Sequence, residues 1–170
     1  MNPQLHLLVV GAGDVAGRAL AMAGGHYQAT VLVRRPQRAA ELAAPGRQLL
    51  QGDLDEPRSL NAALATLGRC DLVLHCAPPP STGTDDPRTA NLLAALDAMQ
   101  DTPAQARGMV PRQTGPAALP LLPKRLVYVS TSGVYGDCQG ALVDESRPLA
   151  PATARAVRRV AAEARLQSWA

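Results

Sequence analysis

Leu5-His6-Leu7-Leu8-Val9-Val10-Gly11-Ala12-Gly13-Asp14-Val15-Ala16-Gly17 joins an apolar run to a glycine-rich turn near the start of the chain. The run Leu5 to Val10 has the pattern of a strand buried on both faces. Asp14 to Ala23 reads as a helix, closed by Gly24-Gly25, where glycine accepts the left-handed cap conformation. The turn between them has the spacing G-x-G-x-x-A, with Gly17 immediately after. Gly11 permits the tight bend, Gly13 leaves the backbone bare for a pyrophosphate, and Ala16 or Gly17 lets the helix pack close to the sheet. The amides at the helix start, around Asp14 and Val15, and the positive end of its dipole face the same point. A glycine turn of this kind is a weak signal alone. Here it follows a strand and opens a helix.

Outward from this turn, short β-type runs alternate with helical ones. Ala29 to Val33 predicts a second strand, Pro36 to Ala43 a short helix, and Gln48 to Gln51 a third strand. Glu56 to Leu67 predicts a helix opened by Asp55 and Pro57, Asp71 to His75 a fourth strand, and Pro87 to Gln100 a helix. Arg125 to Val129 and Thr153 to Gln167 supply the fifth strand and the final helix. The alternation implies an α/β fold of Rossmann type, a doubly wound parallel sheet in the order 3-2-1-4-5 with helices on both faces. Residues 1–170 then form one nucleotide-binding domain without internal repeats. Asp101 to Pro123 interrupts the rhythm with Pro103, Pro111, Pro116, Pro120 and Pro123, and is expected to be a mobile loop.

Composition excludes several classes of function. At 170 residues the chain is long enough to bury a core, and 46% hydrophobic against 18% charged residues argues against disorder of the whole. No apolar run approaches the roughly 18 residues needed to span a bilayer, and no secretory signal opens the chain. A cytoplasmic protein without a membrane partner is the expectation. Cys70, Cys76 and Cys138 are an odd number without Cys-x-x-Cys spacing, and His6, His26 and His75 are scattered, so neither a disulfide framework nor a metal site is expected. The net charge of +3 raises the question of nucleic acid. With no Phe, one Trp and three Tyr there is almost no stacking platform, and none is expected to bind.

The end of the second strand bears on the choice of dinucleotide. An acidic residue there would bind the ribose 2′-hydroxyl of NAD, but the chain has Arg34-Arg35, 21 residues after Gly13. Guanidinium groups fork onto a 2′-phosphate, which favours NADP over NAD. A solvated basic patch is the plainer alternative. Asp53, with Leu54, either borders the adenine or leaves Asp53 or Asp55 to cap the next helix.

With these residues in place, the chain resembles the extended and atypical, epimerase/dehydratase-like branch of the short-chain dehydrogenase/reductase superfamily. The segments that carry the resemblance are Gly25 to Arg34, Gly52-Asp53-Leu54, His75-Cys76-Ala77, Asn91-Leu92-Leu93 and above all Val127-Tyr128-Val129-Ser130-Thr131-Ser132-Gly133-Val134-Tyr135-Gly136. The resemblance implies that Asp53-Leu54 borders the adenine and that Cys76-Ala77-Pro78 runs beside the ribose and pyrophosphate. It puts the active-site hydroxyl on Thr131, with Ser132 as substitute, where it would bond a substrate oxygen near the nicotinamide. Against this stands the reading that these hydroxyls only satisfy backbone at a strand end. Tyr135 reads as a packing residue.

Two departures from the family pattern follow. The usual proton donor is a tyrosine four residues before a lysine, yet the only lysine is Lys124, ahead of the fifth strand. Matching on Ala161-Ala162-Glu163 puts Arg155 at the tyrosine and Arg159 at the lysine. Arg159 could still bind ribose or phosphate, whereas Arg155 has no proton to transfer. The branch also generally continues into a smaller substrate lobe that is missing here, so the chain is read either as a truncated form or as one whose substrate is held by a partner or by residues 101–123. Strand five is then an exposed edge that invites pairing, including homodimerisation. The expectation is an NADP-dependent oxidoreductase or sugar-nucleotide-epimerase relative acting on a small molecule; the alternative is a non-catalytic NAD(P)-binding module or a truncated, inactive family member.

Overall fold

A computed structural model describes residues 4–35, 37, 45–101 and 123–170. Five parallel strands, β1 (Leu5–Val10), β2 (Tyr27–Val33), β3 (Arg47–Gln51), β4 (Leu72–His75) and β5 (Arg125–Tyr128), lie in the order β3-β2-β1-β4-β5. This is the doubly wound order expected from the alternation. Helices α1 (Asp14–Ala23), α2 (Pro57–Ala65), α3 (Pro87–Asp101) and α4 (Ala154–Trp169) cover the two faces. Leu8, Val9 and Val10 are fully buried, as a central parallel strand requires.

Alternation along the strands divides the core. Leu8, Val10 and Val73 point to the face closed by Leu60 and Leu64 of α2 and Leu92 and Leu96 of α3, with Trp169 of α4 packed against them. Val9, Val31 and Val33 point to the other face, against Ala16 and Leu20 of α1. Each fully buried leucine contributes about 1.5–3 kcal/mol. Across the first face, the register aligns Leu50, Leu32, Val10, His75 and Tyr128 in one row. The row turns polar towards β5.

Several boundaries differ from the pattern reading. β2 begins at Tyr27 because main-chain pairing with Leu5 and His6 carries it past the apolar stretch. α4 continues beyond Gln167 because the Trp169 indole packs on the core and donates to Asp97 Oδ1 at 2.8 Å. The helix expected over Pro36 to Ala43 and the loop expected over 101–123 fall almost wholly outside the described residues. Among the described residues, no helix is long and apolar enough to cross a membrane.

Candidate functional site

β1 has β2 on one side and β4 on the other, so the chain leaves the C-terminal ends of β1 and β4 in opposite directions. A crevice of about 360 Å³ opens there, walled by the Gly11–Gly13 turn, Val33–Arg35, Gly52–Leu54, Ala77–Pro78 and Arg88. Gly11 has φ +96°, and a Cβ on it would lie 2.8 Å from the Ala77 amide nitrogen. The glycine turn and the chain after β4 therefore meet backbone to backbone. A Cβ on Gly13 would meet nothing within 4 Å. Gly13 is also the N-cap of α1, which no side chain caps.

Of the other residues expected in the turn, Ala16 is fully buried and packs α1 against the sheet, whereas Gly17 is not where the helix makes its close approach. Asp14 is exposed and paired with Arg18 at 2.8 Å, and Val15 is half exposed. Neither side chain lines the crevice. Cys76 is half-buried outside it; its amide donates to Val10 O at 2.8 Å, and burial raises its thiol pKa.

Arg34 and Arg35 stand exposed at the crevice wall. Arg34 Nη1 lies 3.6 Å from Asp55 Oδ2. An exposed pair of this kind is worth about 0–1 kcal/mol, so the guanidinium is readily drawn to another anion. Asp53 does not cap α2. Its Oδ1 accepts from the Asp55 amide at 3.0 Å, and the N-cap position belongs to Glu56, which makes no side-chain cap. Asp55 does not cap the helix either, because its carboxylate is taken by an arginine.

That arginine, Arg88 of α3, is the residue sequence reading missed. Its Nε and Nη2 donate to the two Asp55 oxygens at 2.7 and 2.6 Å, and Nη1 donates to Pro78 O at 3.0 Å. One guanidinium therefore ties the loop after β3 to the loop after β4, and Asn91 Nδ2 adds a bond to Leu54 O at 2.8 Å. The hydrogen bond from Arg88 is the main reason the Asp55 carboxyl is held below its usual pKa. A signal did exist: a basic residue in the first turn of a helix opposes the dipole, so it calls for a partner elsewhere.

A buried polar chain runs from α3 to α4 at the β5 side. Asp86, fully buried, accepts from the Arg88 and Thr89 amides at 3.1 and 3.3 Å and from the Thr89 hydroxyl at 2.7 Å. With its proton spent on Asp86, Thr89 Oγ1 accepts from His75 Nε2 at 3.0 Å. His75 Nδ1 is left buried without a partner. Burial, then the Arg159 charge, lowers the His75 pKa to about 4. The His75 and Tyr128 rings stand 5.1 Å apart, and Arg159 Nη1 donates to the Tyr128 hydroxyl at 2.8 Å and to Val129 O at 2.7 Å. Arg159 is thus anchored at the end of β5 and does not line the crevice.

The three hydroxyls after β5 have separate partners. Ser130 donates to Glu163 of α4. Thr131 Oγ1 accepts from the Gly133 amide at 3.3 Å, capping the short 3₁₀ turn Ser132–Tyr135 and leaving its own proton free to donate. Ser132 is exposed and Tyr135 half-buried. The three cysteines are free, and among the described residues no cluster of His, Cys, Asp or Glu could hold a metal ion.

A sequence profile described as the NAD dependent epimerase/dehydratase family matches residues 7–170. No curated protein matches the chain. Among solved structures, a protein from Burkholderia cenocepacia J2315 designated an epimerase candidate is similar over 99% of this chain and 51% of its own, at 25% identity and TM-score 0.68. A UDP-Glc/GlcNAc 4-epimerase from Campylobacter jejuni matches 97% of this chain with 49% of its own, at 18% identity and TM-score 0.71. A UDP-glucose 4-epimerase from Thermus thermophilus, solved in complex with NAD, matches 97% of this chain with 50% of its own, at 20% identity and TM-score 0.71. The chain spans about half the length of these relatives.

Proposed function

Because the chain belongs to the NAD-dependent epimerase/dehydratase family, we propose that its crevice binds a nicotinamide dinucleotide, NADP in preference to NAD, for an oxidoreductase or epimerase reaction. One observation carries this reading: a glycine turn with open space over Gly13 lies at the switch point, beside Arg34 and Arg35. Gly11, Gly13 and the free α1 amides of Asp14, Val15 and Ala16 would hold the diphosphate, with Gly17 closing the first turn through its amide to Gly13 O at 3.0 Å and Ala16 setting the helix close enough to reach it. Asp53 and Leu54 would border the adenine, Cys76, Ala77 and Pro78 the ribose and diphosphate, and Arg159 the far ribose. When bound, the dinucleotide supplies hydride exchange at its nicotinamide ring.

The chain's own contribution is orientation and charge. The Thr131 proton, not used in its bond to Gly133, is free to donate to a substrate oxygen, with Ser132 beside it. Arg34 leaves its loose contact with Asp55 for the 2′-phosphate, while Arg88 keeps Asp55 in place. Calorimetry tests the cofactor assignment. NADPH should bind more tightly than NADH, and Arg34→Glu should weaken NADPH by about 10- to 100-fold while changing NADH by only about threefold. Equal losses for the two would remove the 2′-phosphate role.

A second reading, a dinucleotide-binding module without catalysis, is favoured by position 155, where arginine has no proton to transfer. Turnover separates the two. If the chain is catalytic, NADPH oxidation with an aldehyde, ketone or sugar nucleotide should fall by about 100-fold in Thr131→Ala with Ser132→Ala. Turnover unchanged in that double variant excludes these hydroxyls.

A further inference from the structure

Arg155, Arg158 and Arg159 occupy positions i, i+3 and i+4 of α4, so three guanidinium groups leave one side of its first two turns. Arg155 is exposed, whereas Arg158 and Arg159 are only 7% and 5% exposed. None of the three has a carboxylate within 4.0 Å among the described residues. Arg158 Nη1 donates to Gly83 O at 2.8 Å, and Arg159 is held by Tyr128 and Val129 O. The Nε atoms of both are buried without a partner.

The carboxylates nearby bond neutral donors and, among the described residues, form no ion pair with these arginines. Glu163 takes the Ser130 hydroxyl, and Asp86 takes Thr89 and two amides of α3. Buried guanidinium charge is costly unless an anion pairs with it. Like charges at i, i+4 add repulsion, and the positive end of a helix dipole adds more. Apolar side chains would fill the same volume without that cost. The arrangement makes physical sense when an anion enters from outside the chain.

The anchors of the two buried arginines locate the entry. Gly83 belongs to the loop after β4, and Val129 directly follows β5 and precedes Ser130 and Thr131. The charge therefore gathers at the C-terminal ends of β4 and β5, beside the hydroxyl proposed to orient substrate. The dinucleotide phosphates have a separate cradle at Gly11, Gly13 and Arg34. We propose that Arg155 and Arg158, with the adjoining charge of Arg159, form an oxyanion subsite for a carboxylate or phosphate group of the substrate. The substrate is then an acid or a phosphate ester whose anionic group lies close to the carbon–oxygen bond that Thr131 orients. This rests on the crevice binding the dinucleotide.

Malonate and inorganic phosphate are the probes, titrated by calorimetry at constant ionic strength into the full chain saturated with NADPH. Binding of either is expected, with the dissociation constant rising about 10- to 100-fold in Arg158→Gln and in Arg155→Gln. NADPH affinity of both variants should stay within about threefold. Arg155 is exposed, so its replacement leaves the packing intact even if Arg158→Gln fails to fold. No binding of either probe, or an unchanged constant in Arg155→Gln, overturns the subsite. Binding only to the cofactor-free chain assigns the anion to the dinucleotide's own diphosphate and overturns the substrate assignment. Failure of NADPH itself to bind is read separately and refutes only the cofactor reading; the probes are then titrated into the free chain.

Discussion

Gly13→Val is expected to lower NADPH affinity by at least about 100-fold, a loss of about 3 kcal/mol, while the protein stays folded. The conformation at Gly13, φ −89° and ψ −176°, is open to any residue, and a Cβ there meets nothing within 4 Å. Replacing glycine at an N-cap by valine costs about 1 kcal/mol, or about 2–4 °C in melting temperature for a chain of this size. The branched side chain would instead fill the space through which α1 presents its free amides. Gly11→Ala provides the contrast. Its Cβ would stand 2.8 Å from Ala77 N and 2.9 Å from Ala77 Cα, at φ +96°. Both neighbours are backbone, so the loss should appear as stability, about 3 kcal/mol or about 6–12 °C. Calorimetry with NADPH and thermal melting of both variants check the pair. Wild-type NADPH affinity in folded Gly13→Val would remove the glycine turn from the binding site.

The same turn explains why so much of the fold was legible from residue order. Strands buried on both faces read as unbroken apolar runs, and Leu5 to Val10 announces the centre of a parallel sheet before any partner is known. Alternation with helices, together with the glycine spacing, then fixes the winding. Residues lining the crevice were legible where they sit in backbone turns at strand ends, as do Gly11, Gly13, Arg34 and Asp53. What could not be read is pairing at a distance. Arg88 meets Asp55 across 33 positions, and Arg159 meets Tyr128 across 31, with no local pattern to mark either. Tyr27 and Gln28 gave no strand signal because their place in β2 comes from pairing with β1 rather than from burial of an apolar side chain. The reading of Asp53 and Asp55 as alternative caps failed for a related reason. A short acidic side chain before a helix suits a cap, a turn or a salt bridge equally well, and the choice was made by Arg88 of a different helix.

Acid should destabilise the protein well above the range in which carboxylates titrate. His75 has its pKa lowered from 6.5 to about 4, and His6, also buried, is shifted the same way by desolvation. In the unfolded chain each imidazole takes up a proton as pH falls through about 6.5, while the folded His75 resists until about 4. The unfolded state therefore binds more protons throughout that window, and stability falls with falling pH by about 1.4 kcal/mol per unit for His75. The full contribution, present above pH 6.5 and lost by about pH 4, is about 3 kcal/mol. The cause is geometric. Thr89 accepts the Nε2 proton and gives its own to Asp86, so a second proton would have to sit on Nδ1, which is buried, unpartnered and exposed to the Arg159 charge. Asp55, Asp71 and Asp85, whose pKa values are lowered from 3.8, withdraw their contributions only at lower pH and leave the histidine window clear. Denaturant unfolding at pH 7 and pH 4.5 measures the loss, and His75→Gln should remove most of the slope. A wild-type stability that stays constant between those two pH values, or a slope that survives His75→Gln undiminished, would mean that the ring charges freely in the folded state and that the chain from Asp86 to Arg159 does not hold it neutral; a small remaining slope belongs to His6.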